Sequence, residues 1–208
     1  MAQLLINHGA DIEVRYQEPL QTILFVAIHK HFIEMVKLLV ENGANVNAKD
    51  NNEYSPLLFA VYFNEIECAR HLLENGADID AQNVSGWTSL NIAVNNSNLQ
   101  MVEVLVEKSA DLEMRCHEFR TPLFDAVVLG NIEIFELLIT YGADVNAMTH
   151  ESDYLLHWAV VCDDLIFAKI LLQNGALVSI KDQHDVTPLE FAMNEKKLNA
   201  MKLTMFYQ

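Results

Sequence analysis

The side chains of this 208-residue chain that could do chemistry are eight histidines, three cysteines and 29 acidic residues. His29/His31 and Cys116/His117 are the only close His or Cys neighbours that suggest metal. A structural zinc site needs four convergent nitrogen or sulfur donors, and neither pair has that ligand spacing. Asp163/Asp164 could serve as a general acid and base, but they stand where a turn between two helices belongs, which favours solvated turn residues. Cys68, Cys116 and Cys162 are odd in number and far apart, so they fit neither a disulfide framework nor a CxxC pair and are expected to be reduced thiols. The chain has no GxxxxGK[ST], GxGxxG, GxSxG or HExxH segment, which leaves phosphate cradles, nucleophile elbows and zincin helices unsupported. The expectation is a protein that is not an enzyme and that has no cofactor and no metal.

Charge and hydropathy narrow the remaining classes. Thirteen basic against 29 acidic residues give a net charge of −16 and a pI near 4.7. Nucleic acid is therefore not an expected partner, because its recognition needs clustered basic surface that displaces counterions. With 51% hydrophobic and 20% charged residues, the chain can bury enough apolar surface to offset its ordering entropy and should fold. No apolar run reaches the 18 or so residues of a membrane span, and the first residues lack a signal-peptide pattern. Membrane insertion is not expected, and the chain reads as intracellular, cytoplasmic or nuclear.

The element that positions every other residue is a repeat. GADIE at Gly9 recurs as GANVN at Gly43, GADID at Gly76, SADLE at Ser109, GADVN at Gly142 and GALVS at Gly175, a period of 33 after a first interval of 34. A second mark keeps the same register: TILFVA from Thr22, SPLLFA from Ser55, TSLNIA from Thr88, TPLFDA from Thr121, YLLHWA from Tyr154 and TPLEFA from Thr187. Within TPLFDAVVLG, Thr121 is a helix N-cap, Pro122 suits the first helical position, and Leu123, Ala126 and Val127 form one apolar stripe that Gly130 ends. Ile132, Phe135, Leu138 and Ile139 form the stripe of a second helix, which Gly142 terminates. The Ala series (Ala27, Ala60, Ala93, Ala126, Ala159, Ala192) and the Leu series (Leu24, Leu57, Leu90, Leu123, Leu156, Leu189) read as core.

Two motifs in one register across six copies resemble the ankyrin repeat, a β-turn and two antiparallel helices carrying the signature T-P-L-H-x-A. The resemblance covers the whole chain and implies an all-α, ankyrin-repeat solenoid: one domain, 1–208, of stacked helix-turn-helix units with β-turn or hairpin fingers. Its units are a partial repeat 1–16, full repeats 17–49, 50–82, 83–115, 116–148 and 149–181, and a C-terminal cap 182–208. His157, at the H of the signature, is implied to bond to the turn. The first unit lacks its turn and first helix, which leaves the apolar face around Leu24 partly uncovered and suggests a fragment of a longer protein. Asn194, Glu195, Lys196 and Lys197 give the last unit the polar character of a cap.

The resemblance further implies a binding surface on the concave face, built from the turn tips and the exposed side of each first helix. The residues before each Thr/Ser mark are Gln21, Tyr54, Trp87, Arg120, Asp153 and Val186. Those after the first-helix signature are His29/Lys30, Tyr62/Phe63, Asn95/Asn96, Val128/Leu129, Val161/Cys162 and Asn194/Glu195. Tyr54, Tyr62, Phe63 and Trp87, from adjacent units, are the expected anchors of a partner, and Arg120, Val128 and Leu129 extend the surface. The rival reading has Tyr62 and Phe63 only packing against the neighbouring helix. Arg15, Lys49, Arg115 and Lys181 fall at the last position of their units, a basic row able to steer an acidic peptide. Asn47 and Asn146, with Leu39 and Leu138 eight residues earlier, resemble substrates of a 2-oxoglutarate-dependent asparaginyl hydroxylase; Glu113 and Ser179 at the matching place make other units poorer candidates.

The reading is a non-enzymatic module that binds a protein partner through this groove, as a monomer whose exposed first face could pair with a second copy. One alternative is a segment of a longer array in a scaffold, channel, membrane adaptor or effector protein. Another is an acidic inhibitor that masks a basic region of a transcription factor.

Overall fold

The computed structural model describes residues 2–16, 20–116, 119–148 and 154–207. His117 and Asp153 lie outside the described residues. Within them the chain forms thirteen helices and no strand, with one isolated bridge between Met148 and Tyr154. Residues 1–111 and 112–208 form two compact units.

The first unit contains α1 (Ala2–Asn7) and then three helix pairs: α2 (Ile23–His29) with α3 (Ile33–Glu41), α4 (Pro56–Tyr62) with α5 (Ile66–Glu74), and α6 (Ser89–Asn95) with α7 (Leu99–Glu107). The second unit repeats the arrangement with α8 (Pro122–Val128) and α9 (Ile132–Thr140), α10 (Leu155–Val161) and α11 (Leu165–Gln173), and α12 (Pro188–Asn194) and α13 (Leu198–Phe206). The two helices of each pair pack on one another, and equivalent helices of neighbouring repeats pack within each unit: α2 on α4, α4 on α6, α3 on α5 and α5 on α7 in the first, α8 on α10, α10 on α12 and α11 on α13 in the second.

First helices begin where the hydroxyl marks placed them. Ser55, Thr88, Thr121 and Thr187 accept the third helical N–H through their side-chain oxygens, and Pro56, Pro122 and Pro188 hold the first turn. Tyr154 has no such oxygen to offer, and α10 starts without a side-chain cap. The turn between the paired helices needs a left-handed residue in every repeat, yet only Gly130 is a glycine. His31, Asn64, Ser97, Asp163 and Lys196 take φ values between 53° and 60° in its place.

The six signature alanines are all at most 2% exposed. Leu24, Leu57, Leu90, Leu123 and Leu156 are equally buried, whereas Leu189 of α12 is only half-buried. In α9 the buried side chains are Ile134, Phe135 and Leu138, while Ile132 and Ile139 are half-buried, so the buried face is shifted from the stripe read from spacing. Phe135 meets Phe167 edge to face at 4.9 Å.

Two expectations about the ends need correction. Leu24 is fully buried, since α2 sits against α3 and α4. The exposed apolar side chains there are Leu4, Leu5, Val14 and Tyr16, on α1 and the turn that follows it. In the last repeat Asn194, Glu195 and Lys196 are exposed, but so are Met193, Met205 and Phe206, so that end is polar only in part. The three cysteines are free thiols. Cys68 is fully buried, and that burial, reinforced by Glu65 and Glu67, pushes its thiol up to about 11.

Candidate functional site

The groove residues are placed by short closed turns. In three repeats the first residue folds its carboxylate or amide back on the turn: Asp50 Oδ1 accepts from Asn52 N and Tyr54 N, each at 2.9 Å, and Asp50 N–H donates to Tyr54 O at 3.1 Å. Asn83 repeats the device toward Ser85 N (2.9 Å) and Trp87 N (3.0 Å), and Asp182 toward His184 N (2.8 Å) and Val186 N (2.9 Å). Such side-chain-to-backbone bonds are what Asp and Asn offer at turns. Desolvation raises the Asp182 carboxyl, but the two N–H donors outweigh it and hold the group below the ordinary aspartate value. Each turn thus fixes the residue just before the helix cap, which is Tyr54, Trp87 or Val186.

In the first unit the four expected anchors divide. Tyr54, Tyr62 and Trp87 line one open recess of about 220 Å³, floored by Ile92 and rimmed by exposed Asn95 and Asn96. The Tyr54 and Tyr62 rings meet edge to face at 6.2 Å, and Tyr62 is 55% exposed. Phe63 stands behind Tyr62, with centroids 5.1 Å apart, and packs edge to face against Phe59 (4.8 Å) and His29 (4.9 Å). Phe59 in turn meets the fully buried Phe25 at 5.3 Å. Phe63 therefore buttresses the recess from the core side, and the aromatic series is continuous from Phe25 to Tyr54.

The second unit has a different surface. Val128 and Leu129 are both more than 40% exposed and border a recess of about 300 Å³ shared with Trp158 and the exposed Cys162. Arg120 pairs with Asp125 of α8, Nε to Oδ1 at 3.0 Å, and Asp125 is only 4% exposed. The fifth signature position is otherwise apolar: Val26, Phe59, Ile92, Trp158 and Phe191. Arg120 thus answers a buried carboxylate that its own repeat introduces, a pairing that sequence reading missed although the acid was visible in TPLFDA.

The row of basic residues is partly offset. Lys49 Nζ lies 3.0 Å from Glu53 Oε2 and Lys181 Nζ 2.9 Å from Asp185 Oδ2, each on its own turn. The Asp185 bond raises the Lys181 ammonium. The Arg15 guanidinium donates to Lys49 O at 3.0 Å, and Arg115 is exposed.

Asn47 and Asn146 hold neighbouring turns together. The Asn47 amide donates to Gly76 O at 3.0 Å and accepts from Asp78 N at 2.8 Å; Asn146 makes the same pair with Gly175 O (3.3 Å) and Leu177 N (2.9 Å). Glu13, Asp80 and Glu113 supply only the accepting half, to Asn45, Asp111 and Asp144. His157 donates from Nε2 to Val186 O at 2.9 Å, the bond to the turn expected of it. Asp164 caps α11 by accepting from Ile166 N and Phe167 N, which gives one member of the Asp163/Asp164 pair a structural task. No helix among the described residues is long and apolar enough to cross a membrane.

Known proteins share this architecture. The family profile described as "Ankyrin repeats (3 copies)" matches residues 1–83 and 78–149, and "Ankyrin repeat" matches 153–183. Among solved structures, the ankyrin repeat domain of Bcl-3, described as a unique member of the IkappaB protein family, is similar with a TM-score of 0.87. It is 29% identical over 96% of this chain and 90% of that one. An ankyrin repeat domain from Acinetobacter baumannii AYE shares the fold, with a TM-score of 0.81 and 24% identity over 89% of this chain and 97% of that one.

Proposed function

This chain belongs to the ankyrin-repeat family, and we propose that it is a non-enzymatic module whose groove in the first unit binds a protein partner. One observation carries the reading: Tyr54, Tyr62 and Trp87 come from two neighbouring repeats and line one recess, with Tyr62 more than half exposed. Aromatic rings at such a place carry large contact area at little entropic cost, which is why they recur among the residues that dominate binding energy. Phe63 serves as support, and Val128 and Leu129 offer a second, aliphatic contact area of their own unit.

Affinity capture from cell extract tests this, with the parent compared to a Tyr54→Ala/Tyr62→Ala/Trp87→Ala variant after circular dichroism has shown both folded. Loss of one captured protein from the variant is the expected result. An unchanged captured set overturns the reading. The charge of −16 and the likeness to a member of the IkappaB family support a second, finer reading, in which the partner is a transcription factor whose basic region is masked. A captured partner without such a region removes it.

A further inference from the structure

We propose that the Tyr54–Tyr62–Trp87 recess seats an arginine side chain presented by a basic segment of the partner. This rests on the groove reading above and specifies its chemistry.

The lining points to a cation. Three aromatic rings wall the recess, and none of the side chains that line it carries a formal charge. Tyr54 and Tyr62 meet edge to face and not stacked, and Tyr62 is 55% exposed, which leaves ring surface open to the recess. A cation within about 6 Å of a ring centroid is attracted by the ring quadrupole, most strongly by tryptophan. At about 220 Å³ the recess is smaller than the roughly 300–1,000 Å³ of sites that enclose a small molecule. That size suits the head of one side chain.

The lining also discriminates between cations. A lysine ammonium is compact and strongly hydrated, and here it would give up water without a carboxylate to replace it. A guanidinium is planar, weakly hydrated and stacks on aromatic faces. The exposed carboxamides of Asn95 and Asn96 and the hydroxyl of Ser85 supply oxygen acceptors for its N–H groups at the rim. Ile92, 5% exposed, closes the floor against its methylenes. Charge complementarity extends beyond the recess: residues 1–111 hold 15 acidic and six basic side chains, a net −9 that draws a basic segment toward this unit.

The test uses degenerate nonapeptide pools with a fixed central arginine, lysine, citrulline or leucine, measured against the parent, Tyr62→Ala and Tyr62→Phe. Tyr62 is exposed enough that both variants should melt with the parent, and that is checked first. The expected result is retention of the arginine pool at least tenfold above the citrulline pool, kept in Tyr62→Phe and lost in Tyr62→Ala. If citrulline, leucine or lysine is held as well as arginine and the binding still depends on Tyr62, the guanidinium reading is overturned and the groove stands. If no pool is retained, or retention ignores Tyr62→Ala, the guanidinium reading is again overturned, and the capture experiment decides the groove separately.

Discussion

The two units carry the same scaffold and unlike grooves. In the first, the groove residues are aromatic and hold one another, ring on ring from the buried Phe25 out to Tyr54. In the second, the corresponding places hold an ion pair, Arg120 with the buried Asp125, and exposed aliphatic side chains at Val128 and Leu129. In the second unit Asp182 closes the turn before Val186 by the same bonds that Asp50 and Asn83 make in the first, whereas Arg120 follows Cys116, whose backbone N–H donates to Arg120 O at 3.3 Å. The difference teaches that repeat register fixes where a side chain stands and leaves its chemistry free. It also predicts where substitutions will be costly: in the second unit at the charge pair for stability, and in the first, on the proposed function, chiefly for binding.

The largest expected effect breaks that pair. Asp125→Val makes the fifth signature position apolar, as in the other repeats, but removes the carboxylate that stands 3.0 Å from Arg120 Nε. Removing one member of a buried pair costs about 3–5 kcal/mol, and the 28% exposure of the Arg120 side chain discounts this to about 1–3 kcal/mol. Asp125→Val/Arg120→Leu should recover the parent's urea midpoint or exceed it, since well-packed apolar replacements of buried pairs are often neutral or stabilising. A double variant no more stable than the single one would show that the carboxylate has a task beyond answering Arg120.

This pair also marks where the sequence stopped being readable. Period, caps and the Ala and Leu series were legible because each is a local or nearest-neighbour requirement: Thr121 needs only its own next turn, and Ala126 only the helix beside it. The aromatic cluster was legible as a set of positions. Its division was not, because Phe63 is turned toward Phe59 and His29 by rotamers that no spacing encodes. Asp125 is one of 29 acidic residues, and nothing in its spacing marks Arg120, five residues earlier, as the group it meets. Ile134 was missed for a related reason: which side of α9 is buried depends on the angle at which it meets α8.

Asn47 and Asn146 sharpen the comparison from the side of what the units share. Both amides bridge neighbouring turns, but the donor bond is 3.0 Å in the first unit and 3.3 Å in the second. With two exposed bonds at a net of roughly 0.5–1.5 kcal/mol each, Asn47→Ala should cost about 1 kcal/mol and Asn146→Ala less. Asn47→Asp keeps the acceptor for Asp78 N and loses the donor to Gly76 O, so it should fall between parent and alanine. Chemical denaturation of the three variants reads the order, and equal losses at both positions would contradict the distances.

The smallest effect concerns the second turn of each repeat, where five units place a glycine and one places Ser109. Ser109 takes φ 64° in the first unit, and Gly142 takes φ 96° at the matching place in the second. A left-handed backbone costs a residue with a Cβ about 1–2 kcal/mol, and glycine, which avoids that cost, gives back part of the advantage because its unfolded chain has more freedom to lose. Ser109→Gly should therefore stabilise by about 0.5 kcal/mol. Gly142→Ser should destabilise by more than that, because its φ lies further from the left-handed helical well near 57° and a Cβ there would find open space but no relief from backbone strain. Melting temperatures of the two variants measured together test the shared scaffold directly. A gain at Ser109 smaller than the loss at Gly142 is the expected result, and a loss at Ser109 would mean that its hydroxyl, not its backbone, sets the stability of that turn.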